Sequence, residues 1–471
     1  MQVIKNYLYN VSYQVFILLV PLITTPYLAR VLGPTGVGIN AFTNSNIQYF
    51  ILFGSIGVGL YGNRQVAFVR DDKEELTQNF YEIFLMRIMT ITLSYAAFLV
   101  FLVFSGDYQT YYLAQSLSII AAAFDISWFF MGVEDFKVTV VRNFIVKIAT
   151  LLMIFAFVKS IKDLGLYILI LSLSLLIGNI TLFPSLRHYI GKPKIKSLKI
   201  WKHLKPSLVL FIPQIAIQIY LVVNKTMLGY MIGVQSAGYF DQSDKMIKMI
   251  LAIVTATGTV MLPHVANAFK NGEIKKTKEM LYNSFSFVSA SSMPLMFGIM
   301  AIAPKFVPLF FTNKFLAVTP LMTIEAIVIL VIAWSNVLGT QYLLPTNQNK
   351  EFTISVTLGA IVNILANIPL ILLMGVNGTA IATVLSEIAV TGYQMIVIRD
   401  QIKIRNLFTD CWKYLLAGMS MFFVVRYIDS ITKISWMFIL VEVLIGAFVY
   451  LILLILLRAR IIKLGKKMIF N

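Results

Sequence analysis

Charge is scarce in this chain. Only 13% of its 471 residues are Asp, Glu, Lys or Arg, while 59% are hydrophobic. Soluble domains run at about 25% charged and about 45–50% apolar. The balance excludes an ordinary soluble domain and reads as a polytopic membrane protein. Cysteine is all but missing. Cys411 stands alone, which excludes an intrachain disulfide framework and a multi-cysteine metal site. The three histidines, His188, His203 and His264, share no metal-ligand spacing. There is no phosphate-binding loop of the nucleotide-motor type. The paired acids at 71–75 belong to a solvated loop. With no enzyme signature left, the chain is read as a non-enzyme without a cofactor.

Long apolar runs are what it does have. A helix crosses about 30 Å of hydrocarbon with about 20 apolar residues. Fourteen such runs are predicted, at 7–29, 39–60, 79–104, 110–130, 139–158, 165–185, 207–230, 237–262, 281–303, 319–344, 353–374, 376–398, 414–428 and 435–457. The first lacks an A-x-A-like cleavage site and is too long for a signal sequence, so it is read as a retained helix. An even number of spans puts both termini on one side. The segments on that side hold 26 Lys and Arg, against six on the other and seven within spans. The positive-inside rule therefore places both termini in the cytoplasm of a plasma membrane. The same bias accounts for the net charge of +18 without a nucleic-acid partner. The most basic stretch, RHYIGKPKIKSLKIWKHLK at 187–205, reads as a topology anchor whose stem lies on anionic membrane lipid. A specific headgroup role is the alternative. It also separates two halves. The longest external loop, at 303–317, is too short to fold as a domain.

The halves echo each other. ARVLGPTGVGINAF at 29–42 returns loosely as NKTMLGYMIGVQSAGYF at 224–240. Arg30 matches Lys225, Leu32-Gly33 matches Leu228-Gly229, and Gly38 matches Gly238 after an insertion in the loop. A weaker echo links 132–148 with 345–364. Six spans thus repeat once in the same orientation, the pattern of transporters with a central cavity between halves.

Charges inside a bilayer are costly and usually face the bundle interior or a wet cavity. The cations read within spans are Arg87, Arg142, Lys147, Lys225, Lys245, Lys248 and Arg426. The anions are Asp125, Asp241, Asp244, Glu325, Glu387 and Glu442. Spans one to eight hold six of the cations, with Arg30 at the edge, against three aspartates. A cation-rich path suits an anionic substrate such as a phosphate or diphosphate, because Arg and Lys donate charge-assisted hydrogen bonds to its oxygens. Asp241–Lys245 and Asp244–Lys248 also have the i,i+4 spacing of ion pairs that neutralise each other on one helix. Arg87 and Lys147 lie close enough to span ends to snorkel.

The run PYLARVLGPTGVGINAF, followed by YFILFGSIGVGLYGNRQVA, resembles the opening of the Wzx-type polysaccharide flippases of the MATE/MOP exporter superfamily. The stretches at 124–148, at 225–248 with 260–273, and at 359–387 resemble the family's fourth and fifth, seventh and eighth, and eleventh and twelfth helices. The match runs in order over about residues 1–400. The resemblance implies an all-α polytopic fold of fourteen helices. It places an N-lobe at 1–190 (spans one to six), a basic connector at 191–206, and a C-lobe at 207–400 (spans seven to twelve). Spans thirteen and fourteen and a basic tail follow at 401–471, and a cavity lies between the lobes. It implies export of undecaprenyl-diphosphate-linked oligosaccharide repeat units for capsule, O-antigen or exopolysaccharide. A polysaccharide polymerase and chain-length proteins are the partners it suggests. Arg30, Arg142, Lys225, Lys245 and Lys248 become candidate substrate ligands. A kink at Pro21 or Pro26 would turn Arg30 toward the gap between lobes. The lipid II flippase of this superfamily has a carboxylate sodium site, and the matching positions here are Asn224, Asn363, Asn367 and Thr383. Amides stand where aspartates would, so no anion offsets a sodium charge there. Proton coupling through Asp125, Asp241 or Glu387, with Asp244 nearby, and coupling to membrane potential stay open. The alternatives are a drug/cation antiporter, which should want an anionic cavity, and a membrane polysaccharide polymerase, which should carry a large external loop.

The charge bias makes a topology test. Reporter fusions after Arg187 and Lys270 are expected to read cytoplasmic, and fusions near Asp107 and Lys314 external. A reversed pattern at either pair would contradict the fourteen-span arrangement.

Overall fold

The structure is a computed structural model. It describes residues 2–462, with side chains from Phe16 onward except at positions 212, 213, 216, 217, 220, 221, 257, 259 and 260. Among these residues the secondary structure is helical. In chain order the helices are α1 (Gln2–Ser55), α2 (Val58–Val69), α3 (Lys73–Val103), α4 (Gln109–Ala123), α5 (Ser127–Gly132), α6 (Phe136–Phe157), α7 (Leu164–Ile180), α8 (Phe183–Leu186) and α9 (Leu204–Met231). There follow α10 (Val234–Lys270), α11 (Ile274–Phe310), α12 (Val318–Ser335), α13 (Asn349–Met374), α14 (Val376–Ile398), α15 (Ile404–Leu407), α16 (Cys411–Ile431) and α17 (Trp436–Leu456). Twelve helical segments among the described residues are long and apolar enough to cross a membrane. One of them, Phe16–Val69, contains the second expected span and most of the first, and α9 coincides with the seventh. The protein is a multi-pass membrane protein, and the fourteen expected spans map onto its helices.

The first two spans are fused into α1, whose 54 residues would run about 80 Å at 1.5 Å per residue. No bilayer core is that thick. The helix breaks at Gly33, whose φ of 63° and ψ of −179° are open to glycine and closed to most other residues. Pro34 then starts the second arm, where its missing N–H costs nothing. The expected loop at 30–38 is therefore a single-residue break. The arms pack on different neighbours. Phe16 and Tyr27 lie against Phe144 and Phe155 of α6. On the second arm Asn46 donates to Tyr112 of α4 at 2.6 Å and the carbonyl of Phe50 accepts from Ser94 of α3 at 2.6 Å.

The second copy of the repeat breaks elsewhere. Leu228 is buried like Leu32, so the leucines match in role. Gly229, however, stays inside α9. A Cβ there would come within 2.0 Å of the Phe42 ring, so it is a close-approach glycine. The chain turns at Gly233 instead, at φ 137°, within the insertion that separates the matched glycines.

The chain divides into two compact units, Met1–Gly229 and Tyr230–Asn471. The first takes in most of α9 and has an aromatic core. Phe80, Trp128, Phe129 and Phe130 are buried there, and Phe80 stacks on Phe84 and Trp128. In the second unit α13 and α14 form a hairpin turning at Gly375. Ser386 donates to the Gly359 carbonyl at 2.8 Å and Gln394 to Ser355 at 3.1 Å. Helices α16 and α17 are held to α11 by Ser286–Tyr414 at 2.7 Å and by Tyr450 donating to the Ala290 carbonyl at 2.8 Å.

Candidate functional site

The intramembrane charges arrange themselves around interruptions in the helices. The fourth expected span is not continuous. It stops at Ala123 and resumes at Ser127, and Asp125 sits in the break. Ending α4 inside the membrane leaves its last carbonyls without helical partners. Two side chains supply donors: Arg87 Nε reaches the Ala122 carbonyl at 2.6 Å and Asn179 Nδ2 the Ala121 carbonyl at 2.7 Å. A cation and an amide dipole suit the negative end of a helix. Asp125 turns one oxygen to Arg87 at 3.4 Å and accepts the Ser127 N–H with the other at 3.0 Å. Arg87 is 4% exposed. It does not snorkel; it is a buried cap. Arg142 joins the group by donating to Asn179 Oδ1 at 3.3 Å. Arg87, Asp125, Asn179 and Arg142 thus form one polar cluster in the first unit, and Asn179 is the member that sequence reading did not single out.

Arg30 ends the first arm of α1 and donates to the Pro26 carbonyl at 2.7 Å. That is a cation at a helix C-terminus, and the side chain stays exposed. Asn224 is buried and Lys225 half-buried on α9. One residue on, Thr226 shares a hydrogen bond of 2.9 Å with Ser45 of α1. Together with Gly229 against Phe42, this seats the Lys225 segment on the second arm of α1.

In the second unit α10 carries both i,i+4 pairs that the spacing suggested. Lys245 bonds Asp241, and Lys248 bonds Asp244 at 2.7 Å. The aspartates are the more buried partners, and both lysine side chains keep more than 40% of their surface exposed. Between them Ser243 hydrogen bonds Glu325 of α12, which is buried. Asn363, Asn367, Thr383 and Glu387 are all buried in the α13/α14 hairpin. Asn367 donates to the carbonyl and the side-chain oxygen of Asn363 at 2.9 and 3.1 Å, and Thr383 donates to the Thr379 carbonyl at 2.9 Å. Asn363 Oδ1 is thereby engaged with its own helix. Among the described residues no cluster of three His, Cys, Asp or Glu side chains is placed to hold a metal ion.

Two further clusters escaped the sequence reading. Glu82, in the third expected span but not counted among its charges, is 1% exposed. It accepts from His203 at 2.9 Å, Lys202 at 2.6 Å and the Lys199 N–H at 2.7 Å. His203 also meets the Tyr61 hydroxyl at 2.7 Å. Burial pushes the His203 imidazole down, against the pull of Glu82. With Glu82 added, spans one to eight hold six cations, with Arg30 at the edge, against four acids. The second cluster holds Lys305, expected in the external loop at 303–317, which contains Pro304 and Pro308. Both prolines lie inside α11. Lys305 is buried against Glu442 at 2.7 Å, Thr432 at 2.5 Å and Asp429 at 3.3 Å, and Arg426 completes the group at 2.8 Å from Asp429. Apart from the i,i+3 spacing of Arg426 and Asp429, no spacing marks either cluster, since Glu82 and His203, and Lys305 and Glu442, lie more than 100 residues apart in sequence.

The buried position of Arg87 gives a test. Asp125→Asn leaves a guanidinium buried without its counter-charge, and is expected to cost about 3–5 kcal/mol. Adding Arg87→Gln should recover part of that loss in thermal unfolding of the purified protein. Strictly additive losses would contradict the pairing.

Comparison with known proteins returns a consistent set. A family model described as "Polysaccharide biosynthesis protein" matches residues 3–269. A protein of Escherichia coli (strain K12), named for O-antigen transport, is 24% identical over 404 residues, covering 84% of this chain and 96% of that one. Among solved structures, the lipid II flippase MurJ in an inward closed conformation aligns with a TM-score of 0.74 at 17% identity, covering 96% of this chain and 99% of that one. An inward-facing MATE family multidrug resistance transporter of the MOP superfamily gives 0.63 at 11% identity, over 81% and 94% of the two chains. The fold is shared with both.

Proposed function

Since the chain belongs to the polysaccharide biosynthesis protein family, we propose that it is a flippase for lipid-linked oligosaccharides. It takes an undecaprenyl-diphosphate-linked repeat unit from the cytoplasmic leaflet and delivers it to the outer leaflet for capsule, O-antigen or exopolysaccharide assembly. Both termini lie in the cytoplasm. Spans one to six and seven to twelve act as the two lobes of an alternating-access carrier, and the diphosphate travels between them. A polymerase and chain-length proteins receive the product.

The observation that carries this reading is the excess of cations over acids, six to four, in the first eight membrane spans, with Arg30 at the edge of the first. A diphosphate entering a low-dielectric path needs donors that keep their charge, and Arg and Lys meet that need. The protein's acids cover part of the excess at fixed places, as Asp125 does for Arg87 and Asp241 for Lys245. Such pairing also keeps the path from holding its cargo too tightly. Lys245 and Lys248 suit a transient contact best, because each has one acidic partner and an exposed flank. Arg30 and Lys225, matched by the repeat, and Arg142 are the other proposed ligands. Asp125, Asp241, Asp244 and Glu387 remain the candidates for proton coupling, with Asn224, Asn363, Asn367 and Thr383 as polar lining. A carrier of cationic drugs would want the opposite sign of charge.

The test exchanges charges on α10. The swap Asp241→Lys with Lys245→Asp keeps the ion pair but moves the cation one helical turn, about 5.4 Å. If Lys245 contacts phosphate, the swapped protein loses glycan display as Lys245→Ala does, at matched membrane levels, while Lys245→Arg retains part of it. Restored display in the swapped protein would assign this pair to structure and remove it from the transport path.

A further inference from the structure

The basic connector between α8 and α9 is not a loose loop. It is stitched along α3. The Gly191 N–H donates to Thr77 Oγ1 at 3.0 Å, and Gln78 Nε2 donates to Ser197 Oγ at 3.2 Å. Farther along, Glu82 holds Lys199, Lys202 and His203 as described above. Between these fastenings lies an open cleft of about 400 Å³ lined by Lys73, Glu74, Thr77, Gln78, Lys192 and Lys194. Lys194 bonds Glu74, so the lining carries three cations against one anion. On the same connector Ile195 is 77% and Trp201 60% exposed.

A segment that joins two membrane-spanning helices lies at headgroup depth. There an exposed tryptophan sits at the boundary of headgroup and acyl chain, and basic clefts beside membrane helices hold anionic headgroups. We propose that this cleft binds the phosphate-bearing headgroup of an anionic phospholipid, with Ile195 and Trp201 seated in the adjoining acyl boundary. Lys73 and Lys192 donate to the phosphate oxygens, and Lys194 shares itself between the phosphate and Glu74. Charge complementarity selects the anion. The exposed Ile195 and Trp201 select a lipid over a soluble phosphate, which would leave both side chains in water. The bound lipid pins the connector to the start of α3. The site rests on the membrane reading alone and is independent of the substrate carried, so its test reads lipid retention and not export.

The full-length protein is placed in bilayer discs of equal phosphatidylglycerol and phosphatidylcholine, and the lipids that stay bound on release are counted by native mass spectrometry. The protein is expected to retain phosphatidylglycerol in preference. The variant Lys73→Gln, Lys192→Gln, Lys194→Gln should weaken that retention by at least about fivefold, the loss of about 1 kcal/mol expected from a single lysine near a membrane surface. The variant Lys275→Gln, Lys276→Gln, Lys278→Gln, in another basic segment, should not. Millimolar inorganic phosphate should leave the retained lipid in place. Equal retention by both triple variants overturns the proposal. Displacement by inorganic phosphate overturns the lipid assignment and gives the cleft to a free anion.

Discussion

A charge drawn into hydrocarbon must bring its partner with it, and that constraint orders most of this structure. Moving an unpaired ion into such a medium costs several kilocalories per mole or more. The response takes three forms. On α10 the partner is four residues away, and Asp241 and Asp244 pair with Lys245 and Lys248 on the same helix. In the first unit the partner comes from another helix: Arg87 of α3 meets Asp125 after α4. In the second unit the partners come from two helices, and Lys305 of α11 is closed in by Asp429 of α16 and Glu442 of α17. The last arrangement ties the final pair of helices to α11 through buried ion pairs.

Broken helices obey the same logic. Irregular backbone is tolerated at membrane depth only where protein satisfies it. The break after α4 meets that condition through Arg87 and Asn179, which take the Ala122 and Ala121 carbonyls. The charges and the broken helix are therefore one feature. Arg87 both answers Asp125 and closes the helix end that Asp125 interrupts. The opening stretch LGPTG follows the same rule at a helix edge. Gly33 supplies the backbone conformation, Pro34 restarts the helix, and Arg30 adds a donor to the Pro26 carbonyl.

Much of this was legible in the sequence, because span length and hydropathy are set by the bilayer and not by tertiary contacts. The spans, the i,i+4 pairs of α10 and the family resemblance all rest on local or ordered patterns. What was not legible depends on partners far apart in the chain. Glu82 and His203 are separated by 121 positions, and Lys305 and Glu442 by 137. Neither pairing leaves a mark that one sequence can show. Arg87 looked free to snorkel because its span end is near, but burial against α4 outweighs that proximity. Lys305 fell in the expected external loop at 303–317, but α11 runs on through Pro304 and Pro308 to Phe310. The repeat was real in its leucines and misleading in its glycines, since Gly33 turns the chain while Gly229 lets Phe42 approach.

The account holds that cations in the first eight spans recognise the diphosphate of a lipid-linked glycan. The direct measurement uses the purified protein in vesicles loaded with fluorescent polyprenyl-diphosphate oligosaccharide. An impermeant quencher outside reports the transfer of label between leaflets. The account predicts that the protein speeds transfer of the diphosphate lipid well beyond protein-free vesicles and leaves an uncharged polyprenyl glycoside near the background rate. Equal acceleration of both lipids, or none of either, would contradict it.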